Sequence, residues 1–232
     1  VTATVQRAAA DGSKIDNGRT TATRRVACSV AMLLAPWGFV ITNTCYLLAI
    51  RGGGSDENGA AALSLYAAQP GLVRLGSVAG MIGCLLLVPA VLGLLRAARN
   101  SWLVFAGGAL MIAGYVCYLS VLSGGFVTLA MAERGDHPAD YAAVIDAGQA
   151  ETGWVFLIFV VGNLGGTAVL ASGLLASRAV PVWAALGILA WPPLHIIGLI
   201  FFGNEVPQVI GAVLQALGFA GCAVALLRRR PS

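Results

Sequence analysis

Long apolar runs alternate with polar joints along this chain, and nearly every charged side chain falls in a joint. The runs are Val26–Ile50, Gly71–Leu95, Trp102–Leu129, Gly153–Ala176, Ala179–Phe202 and Val206–Leu227. Each exceeds the ~20 residues that an α-helix needs to cross a hydrocarbon core of ~30 Å at ~1.5 Å per residue. A backbone in lipid must satisfy its own N–H and C=O groups, and a helix does so within one segment. The pattern predicts an all-α, polytopic membrane protein, a bundle of six transmembrane helices over residues 26–228.

The joints have two lengths. Those between the second and third, fourth and fifth, and fifth and sixth runs are only a few residues, which forces antiparallel neighbours. The joints after the first and third runs are near twenty residues each, with surface helices expected at Gly59–Ala68 and Ala139–Ala150. The stretch Glu133–Glu151, with its short apolar stripe flanked by acids and Gly148, reads as a partly helical, mobile loop. Residues 1–25 are polar without a hydrophobic period and are expected to form a disordered tail. Val26–Ile50 outruns the apolar core of a signal peptide, so a retained first helix is expected after Arg24-Arg25.

Composition agrees with the pattern. Of 232 residues 58% are apolar and 10% charged, against about 25% charged in soluble domains. The five cysteines fall singly in or beside apolar runs, with no CxxC pair, and read as small buried hydrophobes. A formal charge of +4 is too small to suggest nucleic acid.

The distribution of charge says more than its sum. Arg7, Lys14, Arg19, Arg24, Arg25, Arg96, Arg99, Arg178, Arg228, Arg229 and Arg230 lie on one side of the predicted bundle. Only Arg51, Arg74 and Arg134 lie on the other. Positive charge marks the cytoplasmic side, so both termini are expected to be cytoplasmic. Most acids, among them Asp56, Glu133, Asp146 and Glu205, fall on the opposite face.

Candidate chemistry sits in the fifth run. Pro192 and Pro193 cannot donate hydrogen bonds, so the carbonyls of Ile188 and Leu189 lose their helical partners. One turn later stands His195, the one Asp, Glu, Lys, Arg or His well inside an apolar run, and such a residue is a functional candidate by default. Counting ~1.5 Å per residue from the helix ends puts His195 and Asn43 ~10 Å deep, with Asn163 and Gln215 slightly deeper. Tyr115 and Tyr118 share a face of the third helix at spacing i, i+3. Arg74 and Glu205 stand at the outer mouth. Polar side chains avoid lipid, so these eight residues are the candidate lining of an outward-facing pocket. Interhelical hydrogen bonding without a ligand is the competing account, at ~0.6 kcal/mol per contact.

Small-residue stripes occur at Gly76/Gly80, Gly162/Gly166 and Ala212/Ala216/Ala220. Such stripes let helix backbones approach closely, either within one bundle or at a homodimer or partner interface. No Asp or Glu lies deep in a run, which disfavours coupling through a buried carboxylate. A single deep histidine is a poor metal site, since zinc takes three or four ligands. Neither a metal nor another cofactor is expected, no catalytic residue is identified, and a non-enzymatic role follows.

The segment GLLASRAVPVWAALGILAWPPLHIIGLIFFG, the arginine-rich start and the terminal ALLRRR together resemble uncharacterised six-helix integral membrane proteins of actinobacteria. The resemblance implies a bacterial plasma-membrane protein and transfers no functional residue. The layout is also similar in shape to the substrate-binding subunits of vitamin importers. Two functions are therefore expected to compete. One is binding or transport of a small, largely apolar molecule through the outward-facing pocket; the other is a non-catalytic partner subunit of a larger membrane complex.

Overall fold

A computed structural model describes residues 2–98, 100–198 and 203–228, with the side chains of residues 2–19 and 21 left out. Among them are seven helices: α1 (Thr2–Ile50), α2 (Gly59–Ala68), α3 (Pro70–Ala97), α4 (Trp102–Arg134), α5 (Pro138–Ser177), α6 (Val182–Ile197) and α7 (Val206–Arg228). Their boundaries follow from local chemistry. Asn58 Oδ1 accepts from the Ala61 N–H at 2.9 Å and Ser101 Oγ from the Val104 N–H at 3.3 Å, capping α2 and α4. Pro70 and Pro138 open α3 and α5 in the first turn, where a missing N–H costs nothing. Gly135, left-handed at φ 66°, closes α4.

Five of these helices hold segments long and apolar enough to cross a membrane: Ala22–Ile50, Pro70–Ala97, Trp102–Arg134, Pro138–Ser177 and Val206–Arg228. The chain is a multi-pass, all-α integral membrane protein. Its surface is inverted accordingly, with Leu85, Leu157 and Phe105 more than half exposed.

Three expectations change. The first helix starts at Thr2, so residues 2–25 continue α1 instead of forming an irregular tail. This stretch has no proline, so nothing in it forbids extending a helix begun in the apolar run, although Gly12, Gly18 and five threonines weaken it. The expected loop over Glu133–Glu151 is instead a three-residue turn at Gly135–His137, and the surface helix and fourth run fuse into α5. No proline interrupts residues 139–177, and Gly148 and Gly153 alone do not break a helix. The fifth run starts later, as α6 from Val182, and its residues 199–202 lie outside the described ones. Pro181 precedes its first turn, and the helix is interrupted at Ala190, ahead of Pro192-Pro193.

The long helices close a ring. α1 packs on α3 and α7, α3 on α4, α4 on α5, α5 on α6, and α6 on α7. Close approach depends on glycine at three of these seams, among them α6–α7, where a Cβ on Gly218 would lie 2.7 Å from Ile188 N. A Cβ on Gly38 would lie 2.9 Å from Gly83 Cα, and one on Gly114 would lie 2.7 Å from Gly162 Cα. The small-residue stripes are largely used inside the bundle. Gly76 and Gly80 face Cys45 and Thr42 of α1, and Gly162 and Gly166 face α4. Ala212 and Ala216 pack with Val40 and Trp191.

The two ends of the ring differ. One bears Arg24, Arg25, Arg96, Arg178 and Arg228 and is filled: Met32, Leu87, Leu94, Leu170, Leu174, Ile188 and Phe219 are each under 2% exposed. The other bears α2 and the α4–α5 turn. Trp102 and Trp183, 73% and 60% exposed, ring the arginine end, and Trp154, 65% exposed, stands toward the α2 end of α5. Such tryptophans favour membrane–water boundaries. From Trp154 to Ser177 α5 covers ~35 Å at ~1.5 Å per residue, one bilayer thickness, and its first turns project beyond. There α2 packs against α4 and α5. Gly59 N–H donates to Asp146 Oδ1 at 2.6 Å, and Gly59 lies directly against the Ala142 backbone.

Candidate functional site

At the α2 end the ring encloses a cavity of about 480 Å³ to which all seven helices contribute. α1 supplies Phe39, Thr42, Asn43 and Tyr46; α2 supplies Leu65 and Tyr66; α3 supplies Gly76 and Ser77. α4 supplies Tyr115 and Tyr118, α5 Phe156, Phe159 and Asn163, α6 Trp191 and His195, and α7 Gln208. Asp56 and Glu205, on the joints before α2 and α7, stand at its mouth.

The floor is a buried hydrogen-bonded trio. Asn163 Oδ1 accepts from Tyr115 Oη at 2.6 Å and from Trp191 Nε1 at 2.9 Å. Asn163 is 4% exposed, Tyr115 and Trp191 3% each. The backbone of α5 explains the placement: Val161–Gly166 forms a wider π-helical turn, rich in glycine, with Asn163 in its middle. Such turns interrupt the regular α-helical register and recur at functional sites. Phe39 crosses from α1 to lie 4.5 Å from the Tyr115 ring. Below this floor the filled arginine end begins.

The walls are aromatic. Tyr118 and Phe159 stack at 4.1 Å between ring centroids, and Tyr115 meets Phe159 edge-on at 6.1 Å. Two polar groups of α1 are already engaged: Asn43 Nδ2 donates to Phe39 O at 2.8 Å, and Thr42 Oγ1 donates to Gly76 O at 2.8 Å. Asn43 Oδ1 has no assigned donor among the described residues. His195 lies 5.0 Å from the Trp191 ring, with Gln208 at hydrogen-bonding reach. Its Nδ1 is buried and finds no partner among the described residues.

The mouth is acidic. Tyr46 Oη donates to Asp56 Oδ1 at 2.8 Å. Burial, and secondarily the negative charge of Asp56, raise the Glu205 carboxyl above its usual range. The same two causes raise the Tyr66 phenol. At the α4–α5 turn, by contrast, the hydrogen bond from Tyr141, at 2.6 Å, is the main influence lowering the Asp136 carboxyl, and Arg134 acts in the same direction.

Of the residues singled out in the sequence, His195, Asn43, Tyr115, Tyr118, Asn163 and Glu205 line this one cavity. Two do not. Gln215 is 2% exposed on α7 but belongs to the packed interior, with Nε2 unpartnered among the described residues. Arg74 pairs with Glu133 of α4 at 2.6 Å across exposed surface and turns away from the lining. Sequence reading missed Trp191, Tyr46, Tyr66 and Asp56. Trp191 carried a signal, since an indole N–H beside a double proline in lipid needs an acceptor; the other three are placed by tertiary contacts alone.

Comparison of the chain with protein-family models, with curated proteins and with solved structures finds no match. The resemblance noted in the sequence therefore identifies no family, and function is argued from the chain's own residues.

Proposed function

We propose that this protein binds a small, largely apolar molecule in a cavity open to the outer face of a six-span bundle in a bacterial plasma membrane, as a receptor or carrier without enzymatic activity. The cavity carries this reading. It joins six of the eight side chains chosen on polarity and depth, its walls are aromatic, and a packed core lies beneath it. Ligand pockets of ~300–1,000 Å³ with apolar walls and a few polar groups are the usual form of small-molecule sites. α6 is the sixth span in this reading, with both termini on the arginine-rich, cytoplasmic side.

Native mass spectrometry of protein released from mild detergent tests the binding. A small molecule is expected to co-purify with the parent and to be absent from Gly125→Trp, whose new indole enters the cavity beside Tyr66 and Ser77. An empty parent, or equal loading of both proteins, refutes it. Orientation is read by labelling intact cells with an impermeant maleimide. Ser55→Cys is expected to react above the parent background and Asn100→Cys is not; the opposite pattern inverts the topology. Asn100 serves because it is exposed, whereas the neighbouring Ala98 is buried and would stay silent on either side.

A further inference from the structure

We propose that the ligand is a hydrophobic cation, an amine or onium centre on an apolar body, held among the aromatic walls with its charge toward Asp56 and Glu205. This rests on the reading of the cavity as a binding site and adds the sign of the ligand's charge. Three observations converge on it. Both charged residues at the mouth are acids, and no Lys or Arg is among the described residues that line the cavity. The nearest candidate base by sequence, Arg74, is held by Glu133 at 2.6 Å on the outside. Below the mouth, Tyr118 and Phe159 are partly open to the cavity, above the buried Tyr115 and Trp191 of the floor. Aromatic faces attract cations through the ring quadrupole, most strongly where water is excluded.

The electrostatics of the mouth support the same sign. Glu205 is half-buried close to Asp56, so its ionised form is disfavoured until a positive charge arrives. A bound cation relieves that repulsion, whereas an anion adds to it. The other titratable groups facing this space are Cys45, Tyr46, Tyr66, Tyr115, Tyr118 and His195, and none supplies a fixed positive charge. Cation binding is therefore expected to strengthen as pH rises and Glu205 ionises.

The test uses full-length protein in nanodiscs of phosphatidylcholine, with empty nanodiscs subtracted to remove lipid partitioning. Three probes share a triphenyl body: methyltriphenylphosphonium (cation), triphenylphosphine oxide (neutral) and triphenylacetate (anion). Equilibrium dialysis is expected to show saturable binding of the phosphonium about tenfold tighter than the oxide, and none of the anion. In Asp56→Asn/Glu205→Gln the preference for the cation should vanish while oxide binding stays at the parent level. If the double variant does not fold, Glu205→Gln alone should weaken the preference severalfold. The parent's preference should also grow from about pH 5 to about pH 8. Oxide or anion binding as tight as the phosphonium, or an undiminished preference in the variants, overturns the cation assignment and leaves the cavity reading standing. No saturable binding of any probe, together with an empty parent in native mass spectrometry, overturns both.

Discussion

Replacing Asn163 with Leu keeps the heavy-atom count and branching of the side chain and removes the one acceptor shared by Tyr115 and Trp191. Both donors are almost fully buried, so water cannot replace the lost partner. Side-chain hydrogen bonds between membrane helices average ~0.6 kcal/mol and reach ~1.7, so two bonds predict a loss of ~1–3.5 kcal/mol. The upper half of that range is expected, because two orphaned donors carry a desolvation penalty beyond the bonds themselves. The assay is reversible unfolding by titrating a denaturing detergent into protein held in a mild one. A cycle with Tyr115→Phe isolates one bond: the double variant should lose less than the sum of the singles, by about 0.5 kcal/mol or more. Asn163→Asp, unfolded at a pH low enough to keep its carboxyl neutral, retains an acceptor and should lose less than Asn163→Leu. If Asn163→Leu unfolds within ~0.5 kcal/mol of the parent and combines additively with Tyr115→Phe, the trio is not a structural element and the floor is held by packing alone.

Two neighbouring glycines should respond oppositely to Ala. A Cβ on Gly162 would stand 2.5 Å from Gly114 Cα and 2.6 Å from Leu110 O, whereas one on Gly153 meets nothing within 4 Å. Gly162→Ala is expected to lose ~1–3 kcal/mol by forcing α4 and α5 apart, and Gly153→Ala to gain up to ~1 kcal/mol from helix propensity, both read by the same unfolding titration. Equal responses would mean that the α4–α5 seam yields freely. Glu205 gives a prediction in pH. Its carboxyl is raised by burial and by Asp56, so the folded protein holds that proton more tightly than the unfolded chain. Its contribution to stability is therefore present at low pH and is lost as pH rises through the folded value. Glu205→Gln should raise the melting temperature at neutral pH, with the advantage disappearing in acid. A constant difference across pH would remove Glu205 from the account.

Some of this architecture is legible in the sequence because lipid enforces it. Apolar runs mark helices, and Gly59–Ala68 is a helix over the residues expected, since Asn58 caps its start and its composition opposes nothing. The α4–α5 region reads differently because a polar helix projecting from the membrane has the composition of a loop. Its contact with α2, through Gly59 and Asp146, adds to its packing on α4. Depth counting finds height along a helix but not direction around it. Gln215 has the right depth and packs into the interior, whereas Asn163, at similar depth, reaches the cavity from a π-helical turn. Arg74 has the right height, but its partner Glu133 comes from another helix. Asp56 and Tyr66 gain meaning only when α2 folds over the bundle.

His195 is where structural and functional accounts separate most cleanly. A purely structural histidine in lipid would spend its ring nitrogens on neighbouring backbone or side chains, and the carbonyls freed by Pro192 and Pro193 are the obvious acceptors. Instead Gln208 lies within reach of the ring while Nδ1 is buried without a partner among the described residues. A buried polar atom without a partner lowers stability, and replacing it with apolar surface of similar size is nearly neutral. His195→Leu should therefore melt close to the parent, within ~1 kcal/mol after offsetting the lost Gln208 contact. The same substitution should abolish or sharply weaken capture of the co-purified molecule, because the wall loses its one imidazole. His195→Gln, which keeps a donor and an acceptor, should retain part of that binding. The measurements are thermal unfolding and native mass spectrometry on all three proteins. If His195→Leu is strongly destabilised and His195→Gln restores it, with ligand loading following the folded fraction, the histidine serves the fold. If His195→Leu is both stable and fully loaded, the binding contacts lie with the aromatic walls and the acidic mouth, and the imidazole is a bystander.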